Sequence, residues 1–431
     1  MQAAPGQNLL DKGALSYPEV AQPNVRRRPS AIRNLELSRP NLLVQCAFYF
    51  SLAAIPFLRL YVPGTGERLG VQRVVQLLMI AAMVSRPRVC VRFVPHALLW
   101  FVAYCGFRIL CGLWVAPEYS KLWWPSSFDL LQFFLPWAWL IFNVLHHPKF
   151  AHGGIWAFVL GVSFCALLHA LGIGVVDVDK GIDGRSTIFE QNANDIGEIY
   201  GYALVGLVAL GLFRSTRQRL RFLIFPLAAL VAIGLAKTGS RTGTLFTVLG
   251  ILILLPQTRV FVPRIQRYVV ILLLALVFAG VVSQIPTVMK RFQTAASGPA
   301  TDESRVRMVP VLWEIFTRSP IIGTGPDKYQ YELTRRAMPY LAEKQRTINA
   351  HNLALLLLAE TGVIGFVLFY IGLGKALISA WRARNGPCGM LPLAWLLPIS
   401  IGGLTICSAI FAPIFWVAIG YSLAGSDPVH S

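Results

Sequence analysis

Three features of the sequence place this chain in the all-α class as a polytopic membrane protein. Hydrophobic residues make up 55 % of it and charged residues only 14 %, with a mean hydropathy of +0.58. Apolar runs of spanning or near-spanning length follow one another along most of its 431 residues. Basic side chains gather in alternate loops between those runs. A soluble globular domain carries more charge and less apolar surface. The formal charge of +19 would suggest nucleic acid in a soluble protein, but loop arginines and lysines between apolar runs set membrane orientation instead. No nucleic-acid partner is expected.

Residues 1–40 are polar, contain Pro5, Pro18, Pro23, Pro29 and Pro40 and the run Arg26, Arg27, Arg28, and lack a signal-peptide pattern. They are expected to form a mobile tail held on the cytoplasmic side. Apolar segments at 42–62, 70–84, 94–115, 127–145, 154–174, 195–213, 222–237, 243–256 and 268–284 predict nine transmembrane helices within residues 41–284. Segments at 351–374, 389–407 and 409–424 predict three more within 351–424, followed by a short tail, 425–431. About twelve helices result, those starting at 70, 222 and 243 being short. With the N-terminal tail inside, fourteen Lys and Arg fall in inner loops against five in short outer loops, the asymmetry expected of positive-inside topology. Trp123 and Trp124 are then expected at the outer interface. Of the seven cysteines, five lie in apolar runs and two in basic loops, so no disulfide framework is implied.

One outer segment is long: residues 285–350, a large loop of the kind that usually carries function. Its stretch Asp302 to Ser319 reads as an amphipathic helix with Val306, Val309, Trp313 and Phe316 on one side, interrupted at Pro310. A second helix is expected from Asp327 to Gln345.

The ionisable residues inside the spans sort to one face. Arg59, Arg73, Arg108, Asp129, Asp195, Glu198, Lys237 and Glu360 all lie toward the outer side in this topology, and the inner halves are essentially empty of charge. Arg59, Lys237 and Asp129 also suit simple helix-end charges that snorkel to the interface. Arg108 and Glu360 lie too deep for that. A buried arginine and a buried glutamate imply an internal pair or a wet cavity. The stretch INAHNLALLLLAETGVIG from Ile348 concentrates the feature: His351 and Asn352 stand at the mouth, and Glu360 is about 13 Å deeper at helical rise. Direct contact between His351 and Glu360 is not expected at that spacing.

The outer loops over this pocket are rich in arginine and small polar residues. Arg185 lies in GRSTIFEQNAN, Ser240 and Arg241 in TGSRTG, and Arg305 and Arg307 in the long loop, followed by Tyr329. Arginine grips phosphate oxygens bidentately and hydroxyl-bearing loops add donors, so arginines arriving from three loops imply an anionic ligand. Each arginine has the plainer alternative of being solvated, and His351 of bonding its own backbone. No close His, Cys or carboxylate cluster of metal-binding type occurs in the outer loops. Gly323-Thr324-Gly325-Pro326 is too short to be a nucleotide-binding loop. No metal and no cofactor are expected.

Arg305, the run PIIGTGPDKY from Pro320 and HNLALLLLAETGVIGF from His351 together resemble the shared region of the O-antigen ligase and O-antigen polymerase superfamily. SRTG at 240–243 and GRSTIFEQNAN at 184–194 look like its two upstream arginine motifs. The likeness spans residues 180–370, with Gln191-Asn192-Ala193 where members often have an Asn-Pro pair. The resemblance implies a metal-independent, inverting glycosyltransferase at the periplasmic face of a Gram-negative inner membrane. Its donor would be an undecaprenyl-pyrophosphate-linked glycan and its acceptor lipid A-core, within the membrane lipid. His351 would act as general base. Arg185 and Arg241 would be catalytic on the pyrophosphate, and Arg305, Arg307, Ser240, Tyr329, Asn352, Glu360 and Arg108 would bind substrate or support the site. A polymerase of the same superfamily and a flippase for lipid-linked sugars remain as alternatives.

Overall fold

The computed structural model describes residues 40–60, 70–177, 185–213, 218–256, 303–337, 352–403 and 410–426. The N-terminal tail, the segment expected at 268–284, most of the first half of the long loop, and His351 lie outside the described residues. The described part is mostly helical. Its helices are α1 (Leu42–Ala53), α2 (Val71–Ser85), α3 (His96–Val115), α4 (Pro117–Val144), α5 (Pro148–Ala170), α6 (Ala193–Leu212), α7 (Gln218–Thr238), α8 (Arg241–Leu254), α9 (Glu303–Arg318), α10 (Lys328–Ala337), α11 (Leu353–Arg382), α12 (Leu391–Gly402) and α13 (Pro413–Gly425). Six of them, α3 to α7 and α11, are long and apolar enough to cross a membrane, and α1, α2, α8, α12 and α13 are shorter apolar helices.

Several expectations change. The all-α reading is interrupted by a small antiparallel ladder, β1 (Val175–Asp177) against β2 (Ser186–Ile188), with Val176 opposite Thr187. A three-residue strand is too short to show in the hydropathy pattern. α7 was expected to be short, yet its span Leu220–Thr238 is 19 residues long, because Lys237 and the basic residues near its start shortened the apparent apolar run. α4 begins ten residues before the segment predicted at 127. It contains a π turn at Leu130–Phe134, and the carbonyl of Gln132 there accepts a hydrogen bond from Gln76 Nε2 at 3.3 Å. Trp123, expected at an interface, is fully buried against Gly112, and its indole N–H donates to the carbonyl of Ala116 at 3.0 Å.

Helix ends are closed by side chains. Asn41, Asn192, Ser240 and Asn352 cap α1, α6, α8 and α11 by accepting from backbone N–H groups of the first turn, each worth about 1 kcal/mol. At the other polarity Lys237 Nζ donates to the carbonyls of His169 and Ala170 at 3.1 and 3.3 Å, which satisfies the last turn of α5 and opposes its dipole.

Packing is tightest where glycine removes the side chain. Gly197 and Gly201 on α6 are four residues apart and face the start of α8. A Cβ on Gly201 would meet the carbonyl of Gly243, one on Gly243 the carbonyl of Gly197, and one on Gly197 the side chain of Ser240. This is the small-residue contact by which apolar helices approach backbone to backbone. α12 closes the other side of α8, and Trp395 donates to the carbonyl of Tyr202 at 3.1 Å.

Gly243→Ala should therefore force α6 and α8 apart and lower stability by about 1–3 kcal/mol. Gly374→Ala in α11, where a Cβ meets nothing within 4 Å, should be neutral or stabilising by up to ~1 kcal/mol. Thermal unfolding of the two variants in detergent checks the contrast; equal effects would argue against the contact.

Candidate functional site

Two polar corners form at the end of the bundle where α6, α8 and α11 begin. The first is built by the TGSRTG turn. Ser240 is buried and spends its hydroxyl as the cap of α8, accepting from Gly243 N–H at 3.2 Å. Arg241 occupies the first helical position, partly exposed, with no hydrogen-bond or ion-pair partner among the described residues. The first-turn N–H groups of α8 and the positive end of its dipole add to the guanidinium charge there. Arg185, 9 % exposed, braces the same turn: its Nε donates to the carbonyl of Thr238 at 3.0 Å and its Nη2 to Asn194 Oδ1 at 2.9 Å.

Arg185 is aimed by the hairpin. Thr187 donates to the carbonyl of Gln191 at 2.7 Å, and Gln191 Nε2 reaches the carbonyl of Pro56 beyond α1 at 2.7 Å. Phe189 and Glu190 take positive φ values of 56°, a strained pair of the kind concentrated at functional sites. Beneath, His169 is fully buried between Ser186 Oγ at 2.9 Å and Tyr200 Oη at 3.3 Å, which anchors β2 to α5 and α6.

The second corner surrounds a break in α11. Gly362, at φ 61° and ψ −164°, interrupts the helix. The freed carbonyl of Ala359 accepts from Thr324 N–H at 2.9 Å, and that of Glu360 from Gly325 N–H at 3.0 Å. The freed N–H groups of Val363 and Ile364 donate to the carbonyls of Pro320 and Ile321 at 2.9 and 3.3 Å. The GTGP segment of the long loop is thus spliced into the helix, and neither Gly362 nor Gly323 has room for a Cβ.

Arg108 of α3 closes this splice. It is 1 % exposed and donates from Nη1 to Glu360 Oε2 at 2.5 Å, from Nη2 to Asp327 Oδ2 at 3.2 Å and Ser126 Oγ at 3.0 Å, and from Nε to Ser127 Oγ at 3.1 Å. Glu360 Oε1 accepts from the N–H of Asp327 at 2.9 Å. Asp327 holds this position at φ 57°, a conformation that aspartate tolerates better than most residues.

Glu360 and Arg108, expected among the residues serving substrate, are therefore occupied with each other and with Asp327. Tyr329, also 1 % exposed, lies at the start of α10 beside them. Asn352 is committed as the cap of α11. Arg305 and Arg307 lie in the first turns of α9, and their side chains, like all of His351, are outside the described residues. Sequence reasoning missed Asp327, Ser126 and Ser127. Asp327 was read only as the first residue of the second loop helix, although the Gly-Pro-Asp turn that sets its backbone is visible in the sequence. The second corner opens into a cavity of about 470 Å³ whose lining includes Arg59, and Arg59 Nη1 pairs with Asp195 Oδ2 at 2.8 Å. Asp195 follows Asn194, the partner of Arg185, so this ion pair lies between the two corners. Among the described residues no group of three or more His, Cys, Asp or Glu could hold a metal ion.

The fold and these corners define a helical membrane protein with a polar, partly cationic site at one end of its bundle. Residues 226–370, about a third of the chain, match the O-antigen ligase family model. The match takes in Arg241, Arg305, Arg307, Asp327, Tyr329, His351 and Glu360, and leaves Arg185 and Arg108 outside. No curated protein matches the chain.

Arg108→Met should leave two carboxylates buried without their cation and cost about 3–5 kcal/mol. Glu360→Gln keeps one acceptor oxygen, enough for Arg108 or for the Asp327 N–H but not both, and leaves no unpaired buried charge on position 360, so it should cost less. A double-mutant cycle between positions 108 and 360, read by thermal unfolding, should be strongly non-additive; additive effects would contradict a shared cluster.

Proposed function

We propose that the chain is an O-antigen ligase: a glycosyltransferase that moves a glycan from undecaprenyl pyrophosphate to lipid A-core. In this reading about twelve helices lie in the inner membrane and the site faces the periplasm. The observation that carries the reading is Arg241, a guanidinium at a helix N-terminus with no hydrogen-bond or ion-pair partner among the described residues, in the same turn that Arg185 braces and within the segment that matches the O-antigen ligase family model. Such a corner offers charge-assisted donors to a pyrophosphate. The charge-sorted loops support the orientation.

The reaction needs little else. The sugar is already attached to a good leaving group. The acceptor hydroxyl gives its proton to His351, which precedes the cap of α11 in the chain, and its oxygen attacks the anomeric carbon. The bond from that carbon to the pyrophosphate oxygen breaks with inversion, and Arg241 and Arg185 take up the charge that grows on the leaving phosphate. Imidazole titrates near neutral pH, which suits it as the base. In this reading Arg305 and Arg307 of the long loop are assigned to donor binding as well. Glu360 and Arg108 position the helix that follows His351 and do not touch the reacting atoms.

In detergent, purified protein should transfer glycan from a lipid-linked donor to lipid A-core. Arg241→Ala should lower kcat by about 10²–10³-fold and His351→Ala by about 10²–10⁴-fold, both with unchanged melting temperature. Near-normal transfer by either variant would reject its assigned role. Growth of the donor glycan without transfer to the core would indicate a polymerase, and absence of any transfer a transporter.

A further inference from the structure

The cavity beside the second corner differs in chemistry from the arginine corner. Among the described residues, every charged group that lines it is already matched. Arg59 is paired with Asp195 at 2.8 Å, Asp129 faces Arg73 at 4.0 Å, and Asp327 and Glu360 share Arg108. Among the described residues that line it, no cation is left over for a phosphate. What the lining does present is a set of planar amides and carboxylate edges, Gln72, Gln330 and Asp129, set among the rings of Tyr329, Tyr331 and Phe411.

That combination is suited to neutral polyhydroxylated rings. Amide and carboxylate groups exchange hydrogen bonds with sugar hydroxyls in both senses, while aromatic faces cover the apolar side of the ring. The volume, about 470 Å³, falls within the range of small-ligand sites. An acyl chain in the same place would leave the Asp129 carboxylate and both amides facing hydrocarbon.

The backbone irregularities of this region converge on the same cavity. The π turn of α4, Leu130–Phe134, follows the lining residue Asp129 and ends on another, Phe134. Asp327, at positive φ, and Glu360, two residues before the break at Gly362, both line it. Irregular backbone of this kind collects at functional sites, and here three separate elements carry it to one space. Arg59 lines the cavity while its partner Asp195 sits beside Asn194, so the cavity adjoins the arginine corner across one ion pair.

We infer that this cavity is a sugar subsite, holding one or two neutral rings of the glycan next to the reacting centre, with Gln72, Gln330 and Asp129 as its specificity-determining residues. The inference rests on the glycosyl-transfer reading, and the two can fail separately.

The test uses Gln72→Leu and Gln330→Leu in the full-length protein, with thermal unfolding to confirm that both fold. In the transfer assay each should raise KM for one glycan substrate about tenfold, the equivalent of one lost hydrogen bond, with kcat little changed. A rise confined to the lipid A-core substrate assigns the cavity to the acceptor; a rise confined to the lipid-linked substrate assigns it to the donor. Unchanged KM values for both, in variants that still depend on Arg241, would overturn the subsite and leave the glycosyl-transfer reading standing. A second measurement does not need turnover. Delipidated, dephosphorylated core oligosaccharide and free repeat-unit oligosaccharide are titrated onto the detergent-solubilised wild type by calorimetry. Binding of either, weakened by Gln72→Leu and unaffected by Arg241→Ala, supports the subsite even if transfer is absent; no binding of either, or binding lost only with Arg241, refutes it.

Discussion

The break in α11 imposes the constraint on which the rest of the site depends. In the apolar interior of a membrane protein a helix that opens exposes carbonyls and N–H groups with no water to receive them. At Gly362 four such groups are freed, and all four are taken by backbone atoms of the Pro320–Gly325 segment. A loop thereby becomes part of the helix that it crosses. The consequence is geometric: the upper half of α11 and the loop that leads into α10 move as one body. Residues placed far apart in the chain, Asp327 and Glu360, are brought within reach of one guanidinium. Arg108 then satisfies two buried carboxylates at once, and Ser126 and Ser127 of α4 take its remaining donors. α3, α4, α10 and α11 are tied to one point by a single side chain.

The arginine corner is supported differently. Nothing buried and charged fixes α8 to α6; the two helices approach because Gly197, Gly201 and Gly243 carry no side chain. The close approach places the capped start of α8 beside the start of α6. It also lets Arg185 reach the carbonyl of Thr238 and the amide of Asn194 together. Arg185 is thus engaged with the turn, and Arg241, two positions before the contact glycine Gly243, has no hydrogen-bond or ion-pair partner among the described residues. The two corners differ accordingly: one is an internally neutralised cluster and the other carries a cation that is unpaired among the described residues. The Arg59–Asp195 pair stands between them.

Much of the scaffold was legible from hydropathy, since α1 to α8 and α11 to α13 all fall on apolar runs of the sequence. The depth of Arg108 and Glu360 in those runs was enough to announce a buried pair, because neither side chain can reach water from there. What the sequence concealed were the features made by backbone. The contact of Gly197 with Ser240 joins residues from separate helices, and no local pattern encodes it. The π turn leaves no mark in composition, and the hairpin strands are three residues long. Trp123 misled because a tryptophan near a helix start resembles an interface anchor; only the bare surface of Gly112 opposite shows why it is buried. Gly323, Gly325 and Gly362 were visible as letters, yet their meaning, two segments of backbone crossing without Cβ atoms, needs the third dimension.

The charge clusters also have a floor. Two turns below Arg108 on α3, Phe101 meets Phe369 and Trp416 at ring separations of 5.3 Å, and Phe415 packs on both Phe369 and Trp416. Tyr104, between Arg108 and Phe101, packs on Phe369 as well. These rings come from α3, α11 and α13 and are almost wholly buried. A polar head group crossing from the site to the opposite end of the bundle along α3 would have to part this cluster, at the loss of several buried aromatic contacts. Among the described residues the spans beneath it offer no chain of ionisable groups to receive such a cargo. An arrangement in which charge is collected at one end and sealed off by aromatic packing is the one expected of an enzyme acting on one face of a membrane rather than of a carrier. It supports a reading in which both glycan substrates arrive from the same side.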